Sequence, residues 1–219
     1  MAAARRGCQQ PSRALPRRKA IVARERREGD RPMILRFFRR DDGRETIQRL
    51  YGAIVAHSRD PSFYTAYGVP DTIEGRFEMI LVHAFLLFHR LKSEGEEQRA
   101  LGQRVFDAFC VDMDANLREM GVSDVAVPKR MKKVAESFYG RVGAYDGALD
   151  RDDAQALTEG VLRNVFSSDS ARGAEARAMA AYIREAARSL AALPFATLAA
   201  GEFPLPAPAG FISEERSAP

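Results

Sequence analysis

One segment limits what this chain can become. Between Pro70 and Leu91 the sequence opens on Asp71-Thr72-Ile73-Glu74. Apolar residues then fall in nearly every direction of a helix: Phe77, Ile80, Leu81, Ala84, Phe85, Leu87, Phe88 and Leu91. The Asp71-x-x-Glu74 spacing predicts a helix start in which each side chain can satisfy an orphan backbone donor. A helix apolar on all sides lies inside a protein core or crosses a membrane. Met79 to Phe88 offers ten residues before His89, Arg90 and Lys92, whereas a bilayer span takes about 20. The segment is therefore expected to be a central helix around which a helical domain packs.

The flanking sequence supplies the other helices. Ile47, Leu50, Tyr51, Ile54 and Val55 recur at i, i+3, i+4, i+7 and i+8, which predicts a helix from Thr46. Asp60-Pro61 reads as an N-cap followed by proline at the first helical position, opening a short aromatic turn that ends at Gly68. The central helix is expected to stop at Gly95. A fourth helix is expected from Glu96 to Met120, with a stop at Gly121, and a fifth opening at Pro128. A sixth spans about Asp152 to Phe166, and an Ala-rich seventh about Ala171 to Leu193. After Pro194 the chain reads as irregular, with Phe203 to Pro208 extended and leading to a loose end. No convincing period-two strand and no fixed-period repeat is visible. The fold expected is all-α: a single domain of about seven helices over residues 33–210, with a flexible end at 211–219.

Charge is unevenly distributed. The 219 residues carry 34 Lys and Arg against 30 Asp and Glu, yet residues 1–32 hold ten of the basic residues and three of the acidic ones. The rest of the chain therefore carries 24 basic and 27 acidic residues, a net of −3. The high isoelectric point belongs to the first 32 residues and gives no argument for DNA binding by the domain. That segment reads as a disordered basic tail. Three origins stand open for it: an untranslated stretch ahead of a start at Met33, a tail proper, or an organellar transit peptide, against which Glu25, Glu28 and Asp30 count. Met33 to Arg40 alternates bulky apolar residues with arginines, fitting either an arm laid on the core or a short membrane-surface segment. Two cysteines, Cys8 and Cys110, make no disulfide framework and suit a reducing compartment.

The usual catalytic signatures are missing from the sequence: no Gly-x-Ser-x-Gly elbow, no phosphate loop, no Gly-x-Gly-x-x-Gly and no cysteine pairs at zinc spacing. His83 and His89 stand six apart, which cannot make the i, i+4 ligand pair of a helical zinc site. His83 is expected as a core histidine with its ring hydrogen-bonded. The acidic residues Asp107, Asp112, Asp114 and Glu119 read as a solvated helix face. Lys129, Arg130, Lys132 and Lys133 crowd the start of the fifth helix, against the macrodipole, which disfavours cations there. Either they salt-bridge to the acidic helix beside them, or they contact an acidic partner, RNA or anionic lipid.

With these residues laid out, the chain resembles the ubiquinol–cytochrome c chaperone family, the assembly factors of respiratory complex III, in its bacterial form. Three blocks carry the resemblance over roughly residues 45–203. The first is Gly68-Val69-Pro70-Asp71-Thr72 with Gly75-Arg76-Phe77-Glu78, Leu81-x-His83-x-Phe85-Leu86 and Arg90-Leu91. The second is Phe109-x-x-Asp112-Met113-Asp114 with Leu117-Arg118-Glu119-Met120-Gly121-Val122. The third is Val127-x-Lys129-Arg130-Met131-Lys132-Lys133 with Phe138-Tyr139-Gly140-Arg141 and Ala144-Tyr145.

The resemblance implies a chaperone without catalysis or cofactor. It implies newly made cytochrome b or another complex III component as client, and extends to ribosome contact. The localisation that follows is cytoplasmic and peripheral at the inner membrane face, or the mitochondrial matrix if the tail is a transit peptide. The residues expected to meet a client or partner are Arg76, His83, Asp112, Asp114, Lys129, Arg130, Lys132, Lys133 and Arg141, beside an apolar groove near the central helix. Two rival readings remain: an RNA- or ribosome-binding module using the basic turn, and a small haem- or metal-binding protein using an accessible His83.

Overall fold

The computed structural model describes residues 40–212, so the basic tail, the arm from Met33 and the end at 213–219 lie outside the described residues. Eight α-helices follow in order: α1 (Arg40–Ser58), α2 (Pro61–Thr65), α3 (Ile73–Lys92), α4 (Glu96–Glu119), α5 (Val127–Asp150), α6 (Ala154–Val165), α7 (Gly173–Ala192) and α8 (Phe195–Ala199). Short 3-10 turns cover Ser170–Arg172 and Pro208–Phe211, and there is no strand among the described residues.

α3 is the axis. Seven consecutive residues, Leu81 to Leu87, are buried, which a helix achieves only when neighbours cover every side. α1, α4, α5, α6 and α7 supply that cover. Phe88 of α3 meets Phe106 of α4 and Phe138 of α5 edge-on, with ring centroids 6.1 and 5.4 Å away. Phe85 meets Tyr145 of α5 at 5.3 Å. At its far end Arg90 reaches α7, donating from Nε to the carbonyl of Leu190 at 2.7 Å and from Nη2 to that of Leu193 at 3.0 Å. A guanidinium placed on the last carbonyls of a helix satisfies groups that the helix itself cannot.

Several boundaries differ from the sequence expectation, each for a local reason. α3 is capped by Thr72, whose Oγ1 accepts from Gly75 N at 3.1 Å, while Asp71 turns aside to Arg76 at 2.6 Å. Gly75 is required there because a Cβ at that position would sit 1.9 Å from the Pro70 carbonyl oxygen. α3 ends at Lys92, and Gly95 is the extended N-cap of α4 rather than the stop of α3. α1 starts at Arg40, before its apolar stripe begins, since a helix can run past the face it buries. Five-residue α8 escaped the periodicity because one turn is too short to show a period.

The segment after α8 is extended as expected, but it is fastened. His57 Nε2 donates to the Phe203 carbonyl at 2.7 Å, and Tyr67 Oη donates to that of Pro208 at 2.6 Å. Phe203 and Pro208 are buried, and the Phe211 ring meets Tyr182 edge-on at 5.9 Å. Phe211 and Ile212 thus pack on the core instead of hanging loose.

Candidate functional site

α4 and α5 each run 24 residues and are joined by the short loop from Met120 to Ala126. Phe106 of α4 lies 5.1 Å from Phe138 and 5.9 Å from Tyr139 of α5. Those residues stand at similar distances along the chain from the loop, so the two helices form an antiparallel hairpin. Its base is anchored: Leu101, Gly102, Val105 and Phe109 are the buried residues of α4, and all lie in its first two thirds. Toward the loop the anchoring thins. Val127 is fully buried yet stands apart from the main core cluster, which α4 last joins at Met113 and α5 first joins at Val134. The end of the hairpin therefore extends past the core that α3 organises.

That end carries the cations. Lys129, Arg130, Lys132 and Lys133 are all exposed. Lys132 lies 3.7 Å from Glu136 one turn along, while Lys129, Arg130 and Lys133 form no ion pair with any described residue. Salt bridging to the neighbouring acidic helix, one of the two readings of this group, does not occur. α5 also starts without help: its N-cap is Ala126, which offers no side-chain acceptor. The cations therefore sit at an uncapped helix start, where the dipole opposes them.

Apolar surface gathers on the same hairpin. Four of the five exposed large apolar side chains among the described residues belong to it: Val111, Met120, Val125 and Tyr139, the fifth being Ile73 at the start of α3. Sequence periodicity could not find them, because Val111 and Tyr139 fall outside the buried stripe and Met120 and Val125 sit at a loop. Gly140 and Gly143 open the outer side of α5, where a Cβ would meet nothing within 4 Å.

The remaining site expectations separate. Asp112 accepts from Tyr51 Oη at 2.7 Å and so ties α4 to α1. Asp114 pairs with Arg118 at 2.7 Å, and Arg118 also holds Asp124. Asp112 thus holds the hairpin to α1, while Asp114 braces it by a bond within α4. Arg76, in the first turn of α3, is exposed and paired with Asp71. Arg141 is largely buried and forks onto Glu78 of α3, with its Nε 2.6 Å from Oε2. A partner would reach Arg141 only by breaking that pair.

His83 is a correction to the expected contact set. Its side chain is 0% exposed, with Nδ1 donating to the Met79 carbonyl at 2.7 Å and Nε2 accepting from Tyr182 Oη at 3.0 Å. Burial holds the ring neutral, with its pKa pushed down to about 4. Both nitrogens are engaged and no solvent path reaches them, so the accessible His83 that a haem or metal reading requires is not there. His57 stacks on the His83 ring at 6.1 Å, but its own Nε2 is bonded to Phe203. His89 lies further along α3, 2.6 Å from Asp146. Over Leu81 to Leu87 the neighbouring helices close on α3 as they close on His83. A groove of about 560 Å³ does lie between α6 and α7, lined by Thr158, Glu159, Arg177 and Arg184 among others.

The chain can now be set beside known proteins. A family model for ubiquinol-cytochrome C chaperones matches residues 65–206, well over half the chain. The chain belongs to the ubiquinol-cytochrome C chaperone family. The crystal structure of the Cbp3 homolog from Brucella abortus is 42% identical, covers 81% of this chain and 98% of its own, and superposes with a TM-score of 0.72. Ubiquinol-cytochrome-c reductase complex assembly factor 1 of Xenopus laevis is 22% identical over 137 residues, spanning 63% of this chain and 68% of the frog protein. The human protein of that name is 25% identical over 119 residues, which is 54% of this chain and 40% of the human one. The animal proteins thus share part of their length with this chaperone, whereas the bacterial structure shares nearly all of its own. The matched stretch contains α3 and the entire α4–α5 hairpin.

Proposed function

We propose that this chain is a non-catalytic chaperone for the assembly of ubiquinol–cytochrome c reductase, holding an apolar client, newly made cytochrome b, until it is incorporated. The observation that carries the reading is the hairpin. A domain of the complex III chaperone family leaves Val111, Met120, Val125 and Tyr139 in water on one projecting element, next to Lys129, Arg130 and Lys133, which no described residue neutralises. Apolar side chains clustered on a single exposed element mark an interaction surface. The flank formed by Tyr139, Gly140 and Gly143 suits a client helix, because glycine lets a second backbone approach closely. By this reading the protein works in the cytoplasm at the inner face of the membrane that receives complex III.

A deletion strain tests it, scored for assembled complex III and for cytochrome b protein and transcript. Loss of complex III and of cytochrome b with the transcript unchanged is the expected result. Normal complex III in the deletion strain would mean that the fold is kept without the role. Ribosome contact through the basic turn is a narrower reading, favoured only by the unpaired Lys129, Arg130 and Lys133. It requires salt-sensitive co-sedimentation with ribosomes that is lost when those residues are neutralised.

A further inference from the structure

We propose that the tip of the α4–α5 hairpin is a docking surface for an anionic lipid bilayer. Two independent properties meet at the tip. Val125 is 90% exposed and Met120 54%, at the two ends of the short loop. Residues 120–135 carry four cations against the single anion Asp124, and that anion is already held by Arg118. Lys129, Arg130 and Lys133 have no counter-charge among the described residues. Lys129 and Arg130 are also placed in the first turn of α5, where the dipole works against them and Ala126 supplies no cap. The local sequence thus accepts two costs that an anionic surface would relieve.

The shape selects the occupant. The tip is the projecting end of a hairpin beyond the main core, so it offers no concave groove to a helix. RNA would neutralise the cations but leave Val125 and Met120 in water. A bilayer surface meets both needs together: short aliphatic side chains sink into the boundary between headgroups and acyl chains, while lysine stems lie along it and their ammonium groups reach lipid phosphates. This goes beyond the chaperone reading and does not depend on it.

The test is sedimentation of the full chain with vesicles of phosphatidylcholine, alone and mixed with phosphatidylglycerol. Binding is expected only with phosphatidylglycerol present, and it should weaken as salt rises. Lys129→Gln and Lys133→Gln should each weaken it about fivefold, and Val125→Asp about tenfold. All three sites are exposed, so an unchanged circular dichroism spectrum is expected and certifies the comparison. Failure to bind phosphatidylglycerol vesicles overturns the proposal. So does binding that all three variants retain in full, since the contact would then lie elsewhere, for instance on the basic residues 1–32. A parallel arm with a single-stranded RNA homopolymer separates the rival: RNA retention that falls in the lysine variants but not in Val125→Asp, with no vesicle binding, makes the tip an RNA contact. Vesicle binding reads the tip and complex III level reads the chaperone role, so failure of one is distinguishable from failure of the other.

Discussion

Arg141 of α5 and Glu78 of α3 form a forked ion pair across the helix interface, with the two side chains 18% and 12% exposed. Burial pushes the Glu78 carboxyl up, and the guanidinium pulls it only part of the way back. A buried pair of this kind adds little net stability over an apolar pair, but breaking it strands a charge.

Arg141→Ala should therefore cost about 3 kcal/mol, and Arg141→Ala with Glu78→Ala distinctly less than the sum of the two single changes. In the single variant Glu78 has lost the group that favoured its ionised form. Its deficit should shrink in acid, where the carboxyl takes up a proton. Urea unfolding at neutral and mildly acidic pH measures both effects. Equal deficits in single and double variants would dissolve the pairing argument.

His83 makes stability depend on pH in the opposite sense. The folded ring is held neutral to about pH 4, while an unfolded histidine protonates near its ordinary value of 6.5. Between those values the unfolded chain binds the extra proton, so stability is complete above the upper value and falls as pH drops toward the lower one. Linkage puts the loss at about 3 kcal/mol at most. His83→Gln should flatten that part of the pH–stability curve whatever it does to stability at neutral pH. A curve of unchanged slope in the variant would locate the titrating group elsewhere.

Glycines on one fold should respond with opposite signs. Gly140 and Gly143 lie inside α5, where a Cβ would touch nothing, so Gly140→Ala and Gly143→Ala should each raise stability by about 0.5–1 kcal/mol. Gly75→Ala should cost about 3 kcal/mol, since its Cβ collides with the Pro70 carbonyl rather than with a side chain that can move. Thermal melting of the three variants decides. If Tyr139, Gly140 and Gly143 form the client flank, the stabilised alanine variants should also retain less client in co-purification.

The basic turn separates stability from function. Replacing Lys129 and Lys133 by glutamate removes cations from a helix start where the dipole opposes them, so the melting temperature should stay level or rise, by roughly 0.5 kcal/mol in stability terms. Client capture should fall, read as complex III components recovered with the tagged protein. Unchanged capture with helical content intact would falsify a role for this patch in holding the client.

Much of this was legible from one dimension. The run from Phe77 to Leu91 announces a buried helix because a side chain's direction in a helix follows from its number, and apolar residues in every direction must be covered. The blocks around Phe109 to Val122 and Val127 to Arg141 pointed to the family for a related reason: they keep polar residues where packing does not ask for them. The site was less legible. His83, Asp112 and Arg141 stand in the blocks that carry the resemblance as Lys129 does, yet they bond to Tyr182, Tyr51 and Glu78. Their partners lie 99, 61 and 63 residues away along the chain.

By itself, then, the sequence determined the helices, the central one among them, the placement of the excess positive charge in the first 32 residues, and the family resemblance. These are properties of spacing and composition, which are local. Tertiary structure alone decided which polar residues are tied up inside and which face outward. It covered Leu81 to Leu87 of α3, fastened the segment from Phe203 to Phe211, and left Lys129, Arg130 and Lys133 at the hairpin tip without an ion pair among the described residues. Exposure depends on what the rest of the chain brings to a residue, and spacing in one helix carries no record of that.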